Sequence, residues 1–251
     1  MPDQVLTLSN VVVAFGALLA VNNVSLSVAR GERRAIIGPN GAGKTTLFHA
    51  VTGVVAPTSG MIHFEGRDIT NTPPHRRARL GIARTFQITN LFPLLTVEEN
   101  LVLSVRGLTR RKFSLFGTPQ LDSEEAQRVT DVLNLSRLSD RRSVTVKELS
   151  YGEQRQLEMA MALATNPRLL FLDEPAAGLS PAERSIVADI IRSLPPQLTV
   201  VLIEHDMDLA LALVDYVTCM YEGKVLVEAA PDAIRTNDAV QEVYLGKPRH
   251  A

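Results

Sequence analysis

The run Gly38-Pro39-Asn40-Gly41-Ala42-Gly43-Lys44-Thr45-Thr46 has the residue types and spacing to hold phosphate: a glycine, four residues, then Gly-Lys-Thr. Glycines let successive backbone N–H groups turn inward, and a helix opening there adds partial positive charge where a β-phosphate would sit. Lys44 would reach the β- and γ-phosphates, and the Thr45 hydroxyl would coordinate Mg²⁺. Much later in the chain, Asp173 and Glu174 close the apolar run Leu169-Leu170-Phe171-Leu172. Two adjacent carboxylates at the end of such a run are costly without a cation or proton partner. Mg²⁺ held by Asp173, directly or through water, would remove that cost and leave Glu174 to orient and polarise an attacking water. His205 follows a second apolar run, residues 198–203, where a strand end would aim it at a γ-phosphate. Together these residues describe the hydrolysis of a nucleoside triphosphate.

Positioning them requires strands that end at one edge. Residues 34–37 read as a strand before the phosphate loop, and residues 47–51 as the helix after it. From residue 148 onward helices and uninterrupted apolar strands alternate: a helix over 151–165 opened by Ser150 as N-cap, a strand over 168–174, a helix over 181–194 and a strand over 198–203. Such strands indicate a parallel sheet covered on both faces, with ligands at the strand ends. Upstream, residues 5–15, 20–28 and 33–37 read as strands, with Asn22-Asn23 and Arg30-Gly31-Glu32 as turn chemistry between them. Phe15 ends the first of these; an aromatic there could stack on a base, but on residue type alone it reads as core.

Between the two halves lie a strand at residues 61–64, a basic helical stretch with His75, Arg76, Arg77 and Arg79 opened by Pro73-Pro74, and a strand over residues 81–86 ending at Gln87. Residues 88–95, with Leu91, Phe92, Leu94 and Leu95, form an apolar connection that is either a docking surface or local core. Residues 97–147 read as helical, interrupted by a basic loop over 106–118 that includes Arg110-Arg111-Lys112. This is a solvated surface or a lipid or protein contact. Asp122-Ser123-Glu124-Glu125 marks a helix start.

The composition of the 251 residues, 45% hydrophobic and 21% charged, suits a globular domain with a substantial interior. Lys plus Arg (26) against Asp plus Glu (27) leaves a net charge of −1, so nothing global favours nucleic acid or an anionic membrane. Cys219 lies in an apolar run and reads as a small buried hydrophobe. With no leader-like start and no apolar window long enough to span a bilayer, we expect a cytosolic chain whose link to a membrane goes through a partner.

With these residues in place, the sequence resembles the ATP-hydrolysing subunits of ABC transporters over nearly its whole length. Leu149-Ser150-Tyr151-Gly152-Glu153-Gln154 is similar to the family's signature hexapeptide, at the expected spacing from both other motifs. The resemblance implies an α/β fold of the P-loop ABC type: a mainly parallel sheet core, an antiparallel β subdomain and an α-helical subdomain. In it, residues 1–251 form one ATPase domain, with 1–88 and 167–251 as catalytic core and β subdomain and about 89–166 as the helical subdomain. It makes Phe15 the aromatic on adenine and Gln87 the residue that senses the γ-phosphate through Mg²⁺ or water. Glu174 becomes the catalytic base and His205 the switch histidine, while Ser150 and Gly152 contact the ATP held by a second subunit. Tyr151 and Glu153 depart from the commonest signature, and Ala177-Gly178-Leu179-Ser180 ends in Ser where many members have Asp.

Those departures, with Gly81-Ile82-Ala83-Arg84-Thr85-Phe86-Gln87 and the ending Val243-Tyr244-Leu245-Gly246, resemble the branched-chain amino-acid importers, in particular the longer of their two ATPase types. Urea and short-amide importers have similar ATPases, and a non-transport ABC ATPase is the more distant alternative. The implied cofactors are ATP and Mg²⁺. The implied partners are a second ATPase subunit, identical or related, two transmembrane permease subunits and, indirectly, an external solute-binding protein. The implied location is the cytoplasmic face of the plasma membrane.

Overall fold

The computed structural model describes residues 3–85, 91–107 and 121–245. β1 (Gln4–Phe15) and β2 (Leu18–Ala29) form a long antiparallel hairpin, and with β4 (Ser59–Phe64) and β5 (Arg67–Asp68) they make a four-stranded sheet in the order β2-β1-β4-β5. The tight turn falls at Gly16 and residue 17. Asn22-Asn23, expected as turn residues, lie inside β2 instead. Asn23 takes φ 57 where the β1–β2 register shifts, because Asn tolerates the left-handed conformation that a bulge needs.

A six-stranded sheet carries the chemistry, in the order β10-β9-β3-β8-β7-β6. Its strands are β3 (Arg33–Ile37), β6 (Ile82–Arg84), β7 (Leu169–Asp173), β8 (Thr199–Ile203), β9 (Tyr216–Tyr221) and β10 (Lys224–Ala229). All neighbours run parallel except β9 and β10. Successive side chains leave a strand on opposite faces, and both faces are buried. Thus Leu170, Leu172, Val200 and Leu202 enter one apolar cluster, while Leu169, Phe171, Val201 and Ile203 enter the other. That two-sided burial is why β7 and β8 read as unbroken apolar runs.

The second cluster packs α1 (Lys44–Thr52) and the four-stranded sheet onto one face. The first covers the other face with α3 (Val97–Gly107), α4 (Ser123–Leu135), α5 (Tyr151–Ala164) and α6 (Pro181–Arg192). Among the described residues, four helix starts carry reciprocal capping pairs: Thr96 with Glu99, Asp122 with Glu125, Ser150 with Glu153, and Ser180 with Glu183. Residues 136–147, expected to be helical, do not continue α4; short 3₁₀ turns stand at Ser139–Arg141 and Val146–Glu148. The short α2 (Pro74–Arg79) buries Arg77, whose guanidinium donates to the carbonyls of Ala50, Val51, Ile69, Thr70 and Thr72. Burial lowers its pKa to about 10, so it stays charged and joins the C-terminus of α1 to α2. This cation of the basic stretch is therefore structural. α7 (Met207–Leu211), α8 (Pro231–Arg235) and α9 (Asp238–Leu245) complete the chain, and among the described residues no helix is long and apolar enough to cross a membrane.

Candidate functional site

Residues 38–43 leave β3 and turn into α1, whose first residue is Lys44. Gly43 caps the helix at φ 95 with no side-chain hydrogen bond, so the opening N–H groups keep their positive end free for an anion. A Cβ at Gly43 would run into the Ala20 carbonyl, whereas one at Gly41 would meet nothing within 4 Å. Gly43 is thus demanded by the fold, and Gly41 (φ 80) leaves room for a ligand. Lys44 is only 5% exposed and folds back, its Nζ donating to the Gly38 carbonyl at 2.8 Å and the Pro39 carbonyl at 3.0 Å. Burial lowers its pKa, opposed by the charges of Glu174 and Asp173.

The parallel register aligns Asp173 on β7 with Ile203 on β8, so the acids and the histidine end at neighbouring strand tips. Glu174 takes φ 47, its N–H donates to the Ile203 carbonyl at 2.9 Å, and its Oε1 lies 2.5 Å from His205 Nε2. A left-handed Glu is a strained conformation, of the kind that persists where surrounding structure and function require it. Glu174 and His205 share a cleft of ≈ 620 Å³ with residues 40–46 and with Leu18, Leu19 and Ala20 of β2. Asp173 is buried behind it; burial first, and the neighbouring Glu174 second, raise its pKa. Its backbone N–H donates to the Thr85 hydroxyl at 3.2 Å, while its Oδ1 is buried with no hydrogen-bond partner.

That orphan oxygen, with the exposed Thr45 hydroxyl at the start of α1, is an all-oxygen donor set that suits Mg²⁺. Among the described residues no cluster of three or more His, Cys, Asp or Glu could hold a metal. The remaining oxygens would have to come from phosphates and water, as Mg²⁺ prefers.

Phe15 is 54% exposed, which overturns the core reading made from residue type. It pairs with Leu18, a wall of the cleft, at the tip of the hairpin. Gln87 and the basic segment 110–112 lie outside the described residues. Cys219 is buried as expected, which pushes its thiol up to about 11.

The hexapeptide opens α5 but does not line this cleft. The Ser150 hydroxyl caps the helix by accepting from the Glu153 N–H at 3.2 Å, and Glu153 also pairs with Arg141 at 2.7 Å. Glu153, a departure from the commonest motif, therefore has a capping role. Tyr151 lies against Gly178 and receives the Arg155 Nε–H at 3.1 Å; Arg155 pairs with the buried Glu158 at 2.8 Å. Ser180 caps α6 with Glu183. Glu204 was not singled out in the sequence. It is buried behind the site, accepts from the Ala176 N–H at 3.2 Å, and is pushed up to about 7 by desolvation. Its only signal was adjacency to His205.

On the far side of β6, a mostly apolar cavity of ≈ 350 Å³ opens between α2, α3 and α5, with Ala83, Leu91, Met161 and Ala162 in its wall. Of the described residues of the apolar connection, Leu91 also packs on the core and is thus local core, while Phe92 and Leu94 face outward.

Compared with known proteins, residues 21–177 match the family model described as ABC transporter. The chain is 39% identical to the high-affinity branched-chain amino acid transport ATP-binding protein BraF of Pseudomonas aeruginosa, covering 98% of this chain and all of that one. It is 39% identical, with the same coverage, to the protein of that description named LivG in Escherichia coli K12. Among solved structures, MJ1267, an ATP-binding cassette of an ABC transporter in its ADP conformation, superposes with a TM-score of 0.85 at 30% identity, over 97% of this chain and 99% of that one.

Proposed function

This chain belongs to the ABC transporter family of ATP-binding proteins, and on that premise we propose that it is the ATP-hydrolysing subunit that powers an importer of branched-chain amino acids. The observation that carries the catalytic part is the meeting of Lys44, Glu174 and His205 on one cleft. The solute is supported by the full-length similarity to BraF and LivG, since no pocket on this chain needs to hold it.

In this reading the N–H groups of residues 40–46 and the Lys44 ammonium take the phosphates, and Phe15 stacks on the base. The Thr45 hydroxyl and Asp173 Oδ1 would hold the Mg²⁺ that accompanies ATP, which would supply neutralisation of phosphate charge. Glu174 accepts the proton of the attacking water, and His205 holds the carboxylate in place and faces the γ-phosphate. Ser150 and Gly152 act on the nucleotide of a second cassette, which agrees with their position off this chain's own cleft. Solved cassettes 25–26% identical to this chain have been described as dimeric. Two transmembrane permease subunits would dock on the cavity between α2, α3 and α5 and on Phe92 and Leu94, holding the ATPase at the membrane's cytoplasmic face. Closing the pair on ATP and opening it after hydrolysis would then move those surfaces.

The test is solute-stimulated ATP hydrolysis by the complex reconstituted with its permease subunits and binding protein. Stimulation by leucine, isoleucine or valine is expected. Stimulation by urea or short amides alone would replace the solute, and turnover indifferent to the membrane partners would overturn the transport reading.

A further inference from the structure

The chain's last described helix touches the first glycine of the phosphate loop. Gly38 follows Ile37, the last residue of β3 to pair with β9, so its N–H has left the sheet ladder. It donates instead to the Tyr244 hydroxyl at 2.7 Å. Gly38 takes φ 144, and a Cβ there would run into the Met220 carbonyl, so its backbone is packed closely against β9. The Gly38 carbonyl in turn accepts from Lys44 Nζ at 2.8 Å. Both backbone groups of this residue are therefore held by side chains, one from α1 and one from α9.

Tyr244 is placed firmly enough to do this. Its ring and Val243 pack on the apolar cluster that covers the six-stranded sheet, Val240 one turn earlier is buried, and the Asn237 side chain accepts from the Val240 N–H at 3.1 Å. Burial pushes the phenol up to about 12, so it is neutral under ordinary conditions and acts as a hydrogen-bonding group. The two supports differ in permanence. Once phosphates are in the cleft, Lys44 is drawn toward them and off the Gly38 carbonyl. Tyr244 has no such competitor.

We propose that Tyr244 is a positioning residue for nucleotide binding: through its hydroxyl, the C-terminal helix α9 fixes Gly38 and with it the base of the phosphate loop. The inference rests on reading residues 38–46 as the ATP cradle. It makes the loop depend on an element some two hundred residues away in the chain, and it gives a physical role to the ending Val243-Tyr244-Leu245.

Removing the hydroxyl leaves a buried N–H unpaired and lets the loop sample conformations that do not bind. In Tyr244→Phe, ATP and ADP should each bind about tenfold more weakly, while turnover at saturating ATP stays within about twofold. A role in packing alone would leave nucleotide affinity unmoved, because the ring is retained. Lys44→Ala measured beside it separates the two readings. If Lys44→Ala weakens ATP binding and Tyr244→Phe does not, the positioning role is overturned and the cradle stands; if neither does, the cradle itself falls. Should Tyr244→Phe fail to fold, hydrogen exchange of the Gly38 amide in the unaltered chain decides: protection is expected, and free exchange overturns the contact.

Discussion

His205 Nε2 lies 2.5 Å from Glu174 Oε1, which makes one unit of the tips of two neighbouring parallel strands. The left-handed Glu174 is tied to β8 twice, by this contact and by its N–H on the Ile203 carbonyl. Its carboxylate is therefore oriented before any nucleotide arrives. Glu174→Gln keeps the shape but cannot accept a proton. ATP binding should persist while turnover falls roughly 10²- to 10⁴-fold, the usual worth of a general base. Single-turnover hydrolysis beside equilibrium binding checks this, and near-normal turnover would remove Glu174 from its role.

Lys44 is buried against the Gly38 and Pro39 carbonyls, so its charge is already directed along the loop. Lys44→Ala should weaken ATP binding itself, in contrast to the Glu174 variant. Titration with a fluorescent ATP analogue measures the difference, and unchanged affinity would count against the phosphate cradle.

Gly41 and Gly43 separate folding from binding. Ala at position 43 meets the Ala20 carbonyl and also a left-handed backbone, so Gly43→Ala should lower stability by about 1–2 kcal/mol from the backbone alone, and more from the clash. Ala at position 41 meets open space, so Gly41→Ala should bear only the backbone term, while it places a methyl in the wall of the cleft read as the nucleotide site. Denaturant melts and ATP titrations on both should diverge: the first variant loses chiefly stability, the second chiefly affinity.

Glu204 gives a pH dependence of defined sign. Desolvation holds its folded pKa at about 7, above the ordinary glutamate value of 4.5, with the charges of Glu174 and Asp206 adding to the rise. The folded state therefore binds the extra proton between those values, and stability is lost as pH rises from about 4.5 through about 7. Glu204→Gln keeps the acceptor for the Ala176 N–H and removes the titration. Its denaturation midpoint should exceed that of the unaltered chain at pH 8, with the gap closing toward pH 5. A constant gap would show that Glu204 does not titrate in this range.

The phosphate loop was legible because its chemistry is local: the glycines, the lysine and the threonine adjoin in sequence, and a strand and a helix flank them. Strand ends at Asp173 and near His205 were legible because sheets buried on both faces leave unbroken apolar runs. The capping boxes at Asp122 and Ser150 were signalled by a polar residue followed three places later by Glu.

What depends on register and packing between distant segments was left for the tertiary structure. Only the pairing of β7 with β8 brings His205 onto Glu174, and only the burial of α2 turns Arg77 from a surface charge into a clamp on five carbonyls. Phe15 has the composition of a core residue and the position of an exposed one, because the hairpin turns at Gly16 before reaching the interior. Tyr244 meets Gly38 because α9 returns across the sheet edge to the start of the loop. Residue types and short spacings therefore determined which groups could act on a nucleotide. The fold decided which of them meet, because hydrogen bonds and charge pairs act over a few ångströms while the residues that make them lie far apart along the chain.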